Sequence, residues 1–215
     1  MGKKGSGTVT SIPIEVTPFS AIEASHHFTV RVAIGSPESA TLRVDDNLLD
    51  VVDVGVHDGT LRVGLRFGTE VTHATLEVDV TVPALERVAA SGASQVRIDG
   101  RNEVERVDLV LSGSSELTAD LEVVRGHLEL SGTSTASISG SAGTLEVTVS
   151  GASHLYADEL SVGDLTIDAS GASTADIAVS ARLSAGASGA SMVRYAGAPT
   201  VERSTTSGAS SVRPL

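Results

Sequence analysis

Ser150-Gly151-Ala152-Ser153 is the stretch on which the reading of this chain turns. The same pattern, Ser-Gly-small-Ser, starts again at Ser91, Ser112, Ser131, Ser170, Ser188 and Ser207. Its third residue is Ala93, Ser114, Thr133, Ala152, Ala172, Ala190 or Ala209. Successive copies begin 21, 19, 19, 20, 18 and 19 residues apart. A period of this size marks one supersecondary unit stacked on itself.

On both sides of the motif apolar residues alternate with polar ones, the period of a strand. Leu145, Val147 and Val149 lead into Ser150, and Leu165, Ile167 and Ala169 lead into Ser170. After the motif two apolar columns recur. One is Val96, Leu117, Ala136, Leu155, Ala175, Val193 and Val212; the other is Ile98, Ala119, Ile138, Ala157, Ile177, Tyr195 and Pro214. Each unit therefore reads as strand, corner, strand and a variable return segment. No such unit buries its own apolar face, so the units stack with like residues above like. The fold predicted is all-β: a right-handed parallel β-helix, or solenoid, with coils of about 19 residues and an SGxS corner in each C-terminal coil. At a rung spacing of about 4.8 Å, the six steps span about 29 Å. Glycine supplies backbone freedom at the corner, and the serines supply hydrogen bonds to local backbone or to the next rung. The only asparagines, Asn47 and Asn102, lie outside the motif.

The rest of the chain is read against this frame as one continuous domain over residues 8–215. Residues 91–215 form the regular repeat, and residues 8–90 form irregular N-terminal β coils or a small β-sandwich. Residues 1–7, which hold both lysines, read as an expression leader outside the fold. Strands are expected near residues 26–34, 40–44, 48–56, 61–67 and 74–82, separated by turns, with no long helix. Pro13 and Pro18 suit an edge or a lead-in. The last copy, with Ser204 and Thr206 at apolar positions and Pro214 near the end, reads as a cap.

Composition narrows the function. The 215 residues carry a formal charge of -12, which argues against nucleic acid and anionic membranes. Cysteine is absent, and the core must be aliphatic, because only three Phe, two Tyr and no Trp are present. The repeated Gly-x-Ser lacks the second glycine of a nucleophile elbow, and a residue written seven times is structural rather than catalytic. His26 and His27 are adjacent and would face opposite sides of a strand; the other histidines are isolated in sequence. Asp45, Asp46, Asp50 and Asp53 crowd one turn without the spacing of a calcium loop, so a solvated acidic turn is expected. No metal and no cofactor is called for.

Several stretches resemble one bacterial family, the putative auto-transporter adhesins with a head GIN domain. They are Phe19-Ser20-Ala21-Ile22, Asp46-Asn47-Leu48-Leu49-Asp50, Asp58-Gly59-Thr60-Leu61, and Thr81-Val82-Pro83-Ala84-Leu85 leading into the SGxS units. The resemblance covers residues 18–212. It implies a β-helical protein that is extracellular or on the cell surface, with a native export signal or anchor removed from this chain.

The remaining candidates lie between the two inward columns, where side chains face outward: Arg97, Thr118, Ser137, Tyr156, Asp176, Arg194 and Arg213. Beside them run Gln95, Glu116, Thr135, His154, Thr174, Met192 and Ser211. Tyr156 stands between short neighbours next to His154, as an exposed aromatic suited to sugars or protein partners. Arg97, His154, Tyr156, Asp176 and Arg194 are therefore the candidate ligand-binding residues. The function expected is a non-enzymatic, adhesin-like binding module for a cell-envelope component, glycan or protein. The alternatives are a polysaccharide-active β-helix enzyme and an envelope protein that self-associates through exposed rungs or flat faces.

Overall fold

A computed structural model describes residues 2–215. From the first SGxS corner onward the chain winds into a β-solenoid. Five long strands carry the middle coils: Gln95–Leu111, Glu116–Leu130, Thr135–Val149, His154–Ala169 and Thr174–Ala187. Each runs from one corner to the next around three faces and pairs in parallel with the coils on either side. The return segment is thus itself β-structure. Each backbone group there has a rung above and below to bond to, so the ladder continues through the bends.

Like residues stack as the repeat requires. Leu117, Ala136, Leu155, Ala175 and Val193 are register partners in turn. They are essentially fully buried. Inward positions on the other two faces, such as Leu121 and Val123, then Leu128 and Leu130, complete one aliphatic core along the axis. This burial is the main stabilising term.

The corner explains its own sequence. Gly151 has φ +72°, a left-handed conformation that side chains disfavour. The Ala152 N–H donates to the Gly132 carbonyl one rung below at 2.7 Å, and the Ala172 N–H donates to the Gly151 carbonyl at the same distance. A Cβ on Gly151 would lie 2.4 Å from that Gly132 oxygen. Glycine is needed because the rungs touch through backbone here. The fourth serine is buried in every copy but the last and usually turns back on the first: Ser134 Oγ donates to the Ser131 carbonyl at 2.8 Å, and Ser191 Oγ to the Ser188 carbonyl at 2.8 Å. Between rungs, Ser114 and Thr133 share a hydroxyl hydrogen bond of 2.8 Å.

An eighth corner lies beneath the seven. Ala21–Ala24 pairs with Arg87–Ala90, and Thr29–Ile34 pairs with Gln95–Leu111, both in parallel. The residues between, Ser25-His26-His27-Phe28, occupy a corner. His26 takes the glycine place with φ 67°, and its carbonyl accepts the Ala93 N–H at 2.6 Å. His26 and His27 therefore lie in a turn, not on opposite faces of a strand. The His26 ring accepts the Leu65 N–H at Nδ1 (3.4 Å), with Ser25 Oγ 2.9 Å from the same nitrogen. A side chain is tolerated here because this is the first corner of the stack.

Below it, pairing turns antiparallel. Ser39–Asp45 lies between Leu76–Val82 and Val9–Ile14, and Val52–His57 forms a hairpin with Thr60–Leu65. Pro13 sits on Val9–Ile14, which pairs on one side only. The acidic turn is not simply solvated. Asp45 is buried, and its carboxylate accepts the Gly7 N–H at 2.6 Å and the Thr75 N–H at 2.7 Å. Lys3–Lys4 pairs with Val71–Thr72, and Lys3 Nζ lies 2.6 Å from Asp50. Residues 3–7 thus dock on this turn.

One ion-pair group on the N-terminal sheets carries a pH dependence. Glu77 lies 3.0 Å from Arg31 and 3.3 Å from Arg43. The Arg31 hydrogen bond holds its carboxyl below the ordinary glutamate value of 4.5. A depressed carboxylate contributes stability above the ordinary value, which is lost as pH falls through the lower folded value. At pH 7, Glu77→Gln is expected to cost about 1 kcal/mol in urea unfolding, since Arg31 is partly exposed and water screens the pair. At about pH 3 the gap to the parent should shrink; an unchanged gap would remove the ion pair from the account.

Candidate functional site: a groove between two enlarged corners

The coils are not equal in length, and the structure shows where the extra residues go. Arg97 pairs with Thr118 and Arg101 with Asp120, so residues 98–100 face Ala119 alone. Three residues against one account for the two extra in the 21-residue coil that begins at Ser91. Ser137 pairs with Tyr156 and Gly140 with Leu160, so residues 157–159 face only 138–139. That one extra residue makes the coil from Ser150 20 residues long. On its other side, Ala157 pairs with Ile177 and Ser161 with Ala178, leaving 158–160 unmatched. The two 19-residue coils in between pair without a shift.

All this extra chain sits at one edge of the solenoid, where the first face after the SGxS corner bends into the second. Two bulging corners thus flank two tight ones. The trough between them has a volume of about 440 Å³. This lies within the range of small-ligand sites, about 300–1,000 Å³. Its floor is Thr118, Ser137 and Ser139. One wall carries Arg97 and Asp99, the other Tyr156, Asp158 and Glu159, and Asp120 lies between.

The five residues singled out in the sequence divide accordingly. Arg97 and Tyr156 line the trough on opposite walls. Arg97 Nε donates to Asp99 at 2.8 Å, which fixes the guanidinium along its own wall. Tyr156 is 46% exposed. His154 stacks on it from outside the trough, with ring centroids 6.3 Å apart and planes 17° apart. Asp176 and Arg194 lie on the next two rungs and do not line the trough. Asp176 departs from the expected exposure. It points outward but is only 7% exposed, because Arg194 reaches back over it with both arms of the guanidinium. That hydrogen bond raises the Arg194 pKa above its usual value, and the charge of Asp158 adds to the effect. The pair stands on the two rungs that follow Tyr156.

Asp99, Asp120, Asp158 and Glu159 were not singled out in the sequence, though a signal was present. In stacked repeats, extra residues collect in loops on one face. The steps of 21 and 20 among the 19s mark these coils. Among the described residues, no group of three or more His, Asp or Glu side chains is arranged to hold a metal ion.

Fold and groove together define a β-solenoid with a ligand-sized trough on one edge. The chain belongs to the family described as "Putative auto-transporter adhesin, head GIN domain", whose model matches residues 18–199. Among solved structures it is similar to a "putative adhesin" from Bacteroides fragilis NCTC 9343, at 17% identity and TM-score 0.93, with 100% of each chain covered. It is also similar to a "putative adhesin" from Parabacteroides distasonis ATCC 8503, at 22% identity and TM-score 0.80, again with 100% of each chain covered. A "putative lipid binding protein" from the same organism matches at 14% identity and TM-score 0.82 over 100% of each chain. At these identities the likeness shows the fold alone. No curated protein matches the chain.

Proposed function

We propose that this protein is a non-enzymatic, adhesin-like module, extracellular or on the cell surface, that binds a cell-envelope component through the first face of its solenoid. One observation carries the reading: the only lengthened coils among the SGxS repeats put their extra residues at one edge, on either side of a trough faced by an exposed aromatic. The family name, which is that of adhesins, supports both the role and the location. Arg97 and Tyr156 contact the ligand from opposite walls. His154 backs the tyrosine ring, and the Asp176–Arg194 pair holds its rung.

The test is co-sedimentation of the purified protein with cell-wall and polysaccharide fractions. Tyr156→Ala should weaken retention by about tenfold or more, the scale of losing an aromatic anchor. Arg194→Ala should weaken it less, by loosening the wall. Retention indifferent to both substitutions would move the binding face elsewhere. No retention on any fraction would overturn the reading.

A second copy of the chain is the other partner that a structural feature favours. Thr200–Thr206 and Ser211–Pro214 each pair with the preceding coil, and among the described residues no strand pairs with their other edge. Sedimentation equilibrium over a wide concentration range separates the two: a strict monomer removes the self-association reading and leaves the trough untouched.

A further inference from the structure

The trough also carries information about the chemistry of its ligand, on the assumption that the reading above holds and this face binds. Four carboxylates line it, against a single arginine. Two are already engaged: Asp99 by Arg97 at 2.8 Å, and Asp120 by Arg101 at 3.6 Å from outside the trough. The other two, Asp158 and Glu159, form no ion pair or side-chain hydrogen bond among the described residues. Both belong to the unmatched segment 158–160, which the long coil pushes outward beside Tyr156. The trough therefore offers two carboxylates with no direct ion-pair partner, Asp158 having only the more distant charge of Arg194 nearby, next to an exposed aromatic ring and above a floor of small hydroxyls.

Each feature excludes something. A polyanion, such as a uronic-acid or phosphate-bearing polymer, meets like charge with no free cation to receive it. An acyl chain finds a floor of hydroxyls and walls of carboxylates instead of apolar surface. A neutral glycan can stack on Tyr156, bond Thr118, Ser137 and Ser139 and donate hydroxyls to Asp158 and Glu159, but it brings no positive charge to set against the two carboxylates. An amine held by both carboxylates, on a ring that lies against Tyr156, uses every feature at once. Charge-assisted hydrogen bonds to the two carboxylates are roughly twice as strong as neutral ones, and a cation near the tyrosine ring is further attracted by its π face. The dimensions agree. The two wall coils are three rungs apart, about 14 Å between centres, which leaves room for one carbohydrate chain and not for a folded domain.

We infer that the trough between the Arg97 and Tyr156 walls binds a glycan that carries free amino groups, with Asp158 and Glu159 holding the amine and Tyr156 the sugar ring. Asp120 and the floor hydroxyls complete the contacts to the ring substituents.

The experiment is a calorimetric or NMR titration of the full chain with four probes at low salt: glucosamine oligomers, the same oligomers N-acetylated, cello-oligosaccharides and oligolysine. Glucosamine oligomers should bind, and N-acetylation should weaken binding by about tenfold or more, because it removes the charge. The Asp158→Asn/Glu159→Gln double variant should reduce binding of the amine form to the level of the acetylated one, with unfolding unchanged because both positions are exposed. Chemical-shift changes should centre on residues 97–100, 118–120, 137–139 and 156–159. Equal binding of amine, acetylated and cello-oligosaccharide forms would overturn the amine assignment. Tight oligolysine binding with no glycan binding would overturn the glycan assignment in favour of a basic peptide. If none of the four binds while envelope fractions still retain the parent and not Tyr156→Ala, this inference falls and the binding face stands. If the fractions also fail, both fall.

Discussion

Replacing Gly151 with alanine is expected to destabilise the protein by about 3 kcal/mol or more, although it adds one methyl group at the surface. Two costs add. The left-handed backbone at φ +72° costs a non-glycine residue about 1–2 kcal/mol. The new Cβ also meets the backbone of the rung below: the Gly132 oxygen at 2.4 Å, its nitrogen at 3.0 Å and its carbonyl carbon at 3.2 Å. No rotamer relieves this, so two rungs must move apart and the 2.7 Å hydrogen bond between them lengthens. Ala152→Ser, one residue away and pointing outward, should be neutral within about 0.5 kcal/mol. The contrast with Gly208→Ala is sharper still. Gly208 has the same conformation, φ 75°, and a Cβ there would lie 2.6 Å from the Gly189 oxygen. It sits in the last coil, so the strain can be shed by fraying the end without breaking the middle. Urea unfolding should show a large loss for Gly151→Ala and a much smaller one for Gly208→Ala. Equal losses would mean that the solenoid unfolds as a single unit.

Asn102 is the second position where a large effect is expected. Its side chain is fully buried in the first regular coil. Its Oδ1 accepts the Leu85 N–H at 2.9 Å and its Nδ2 donates to the Leu85 carbonyl at 2.8 Å. The amide thus reproduces a pair of ladder hydrogen bonds where the incoming segment 83–86 crosses without a strand of its own. Asn102→Leu keeps the volume and removes both bonds, leaving two buried backbone groups unpaired. Each such group costs about 1–3 kcal/mol, so a loss of about 3 kcal/mol is expected. Asn102→Asp keeps the acceptor and sets a carboxylate against the Leu85 carbonyl, which should be at least as damaging near neutral pH. If Asn102→Leu unfolds like the parent, the residue contributes volume alone.

Much of this architecture was legible in the sequence, for a reason these two residues make plain. A repeat states its rules several times, so the inward columns through Leu155 and Ala157 and the corner at Gly151 could be read by comparing copies within one chain. Features that occur once had no second copy to be compared with. The corner at Ser25-His26-His27-Phe28 lacks both the glycine and the last serine, and it shows only in the structure, through the parallel pairing on either side, the left-handed His26 and its carbonyl under Ala93. The antiparallel pairing of Ser39–Asp45 was hidden because a period of two is the same for parallel and antiparallel strands. Burial of Asp176 depends on an arginine 18 residues further on folding back over it, and outward direction alone does not report that. Residues 3–7 hold only lysine, glycine and serine, a composition that gives no sign of how their backbone and Lys3 meet the carboxylates of Asp45 and Asp50. The trough lay between these cases. Its walls were written in the step lengths, while its charges became meaningful only once the register showed which residues had been pushed out.

The unmatched corner segments have a consequence for how such a protein can change. A trough bounded by whole coils has a width counted in integers. Removing one of the two 19-residue floor coils would bring the walls together by one rung, about 4.8 Å, and inserting another would part them by the same amount. The glycine corners would close again on an identical neighbour either way. The acidic groups of each wall, by contrast, reside in residues that have no register partner on the trough side. Width and chemistry are therefore separate variables in this scaffold: whole-repeat duplication or loss sets one, and point changes at residues such as Asp99, Asp158 and Glu159 set the other.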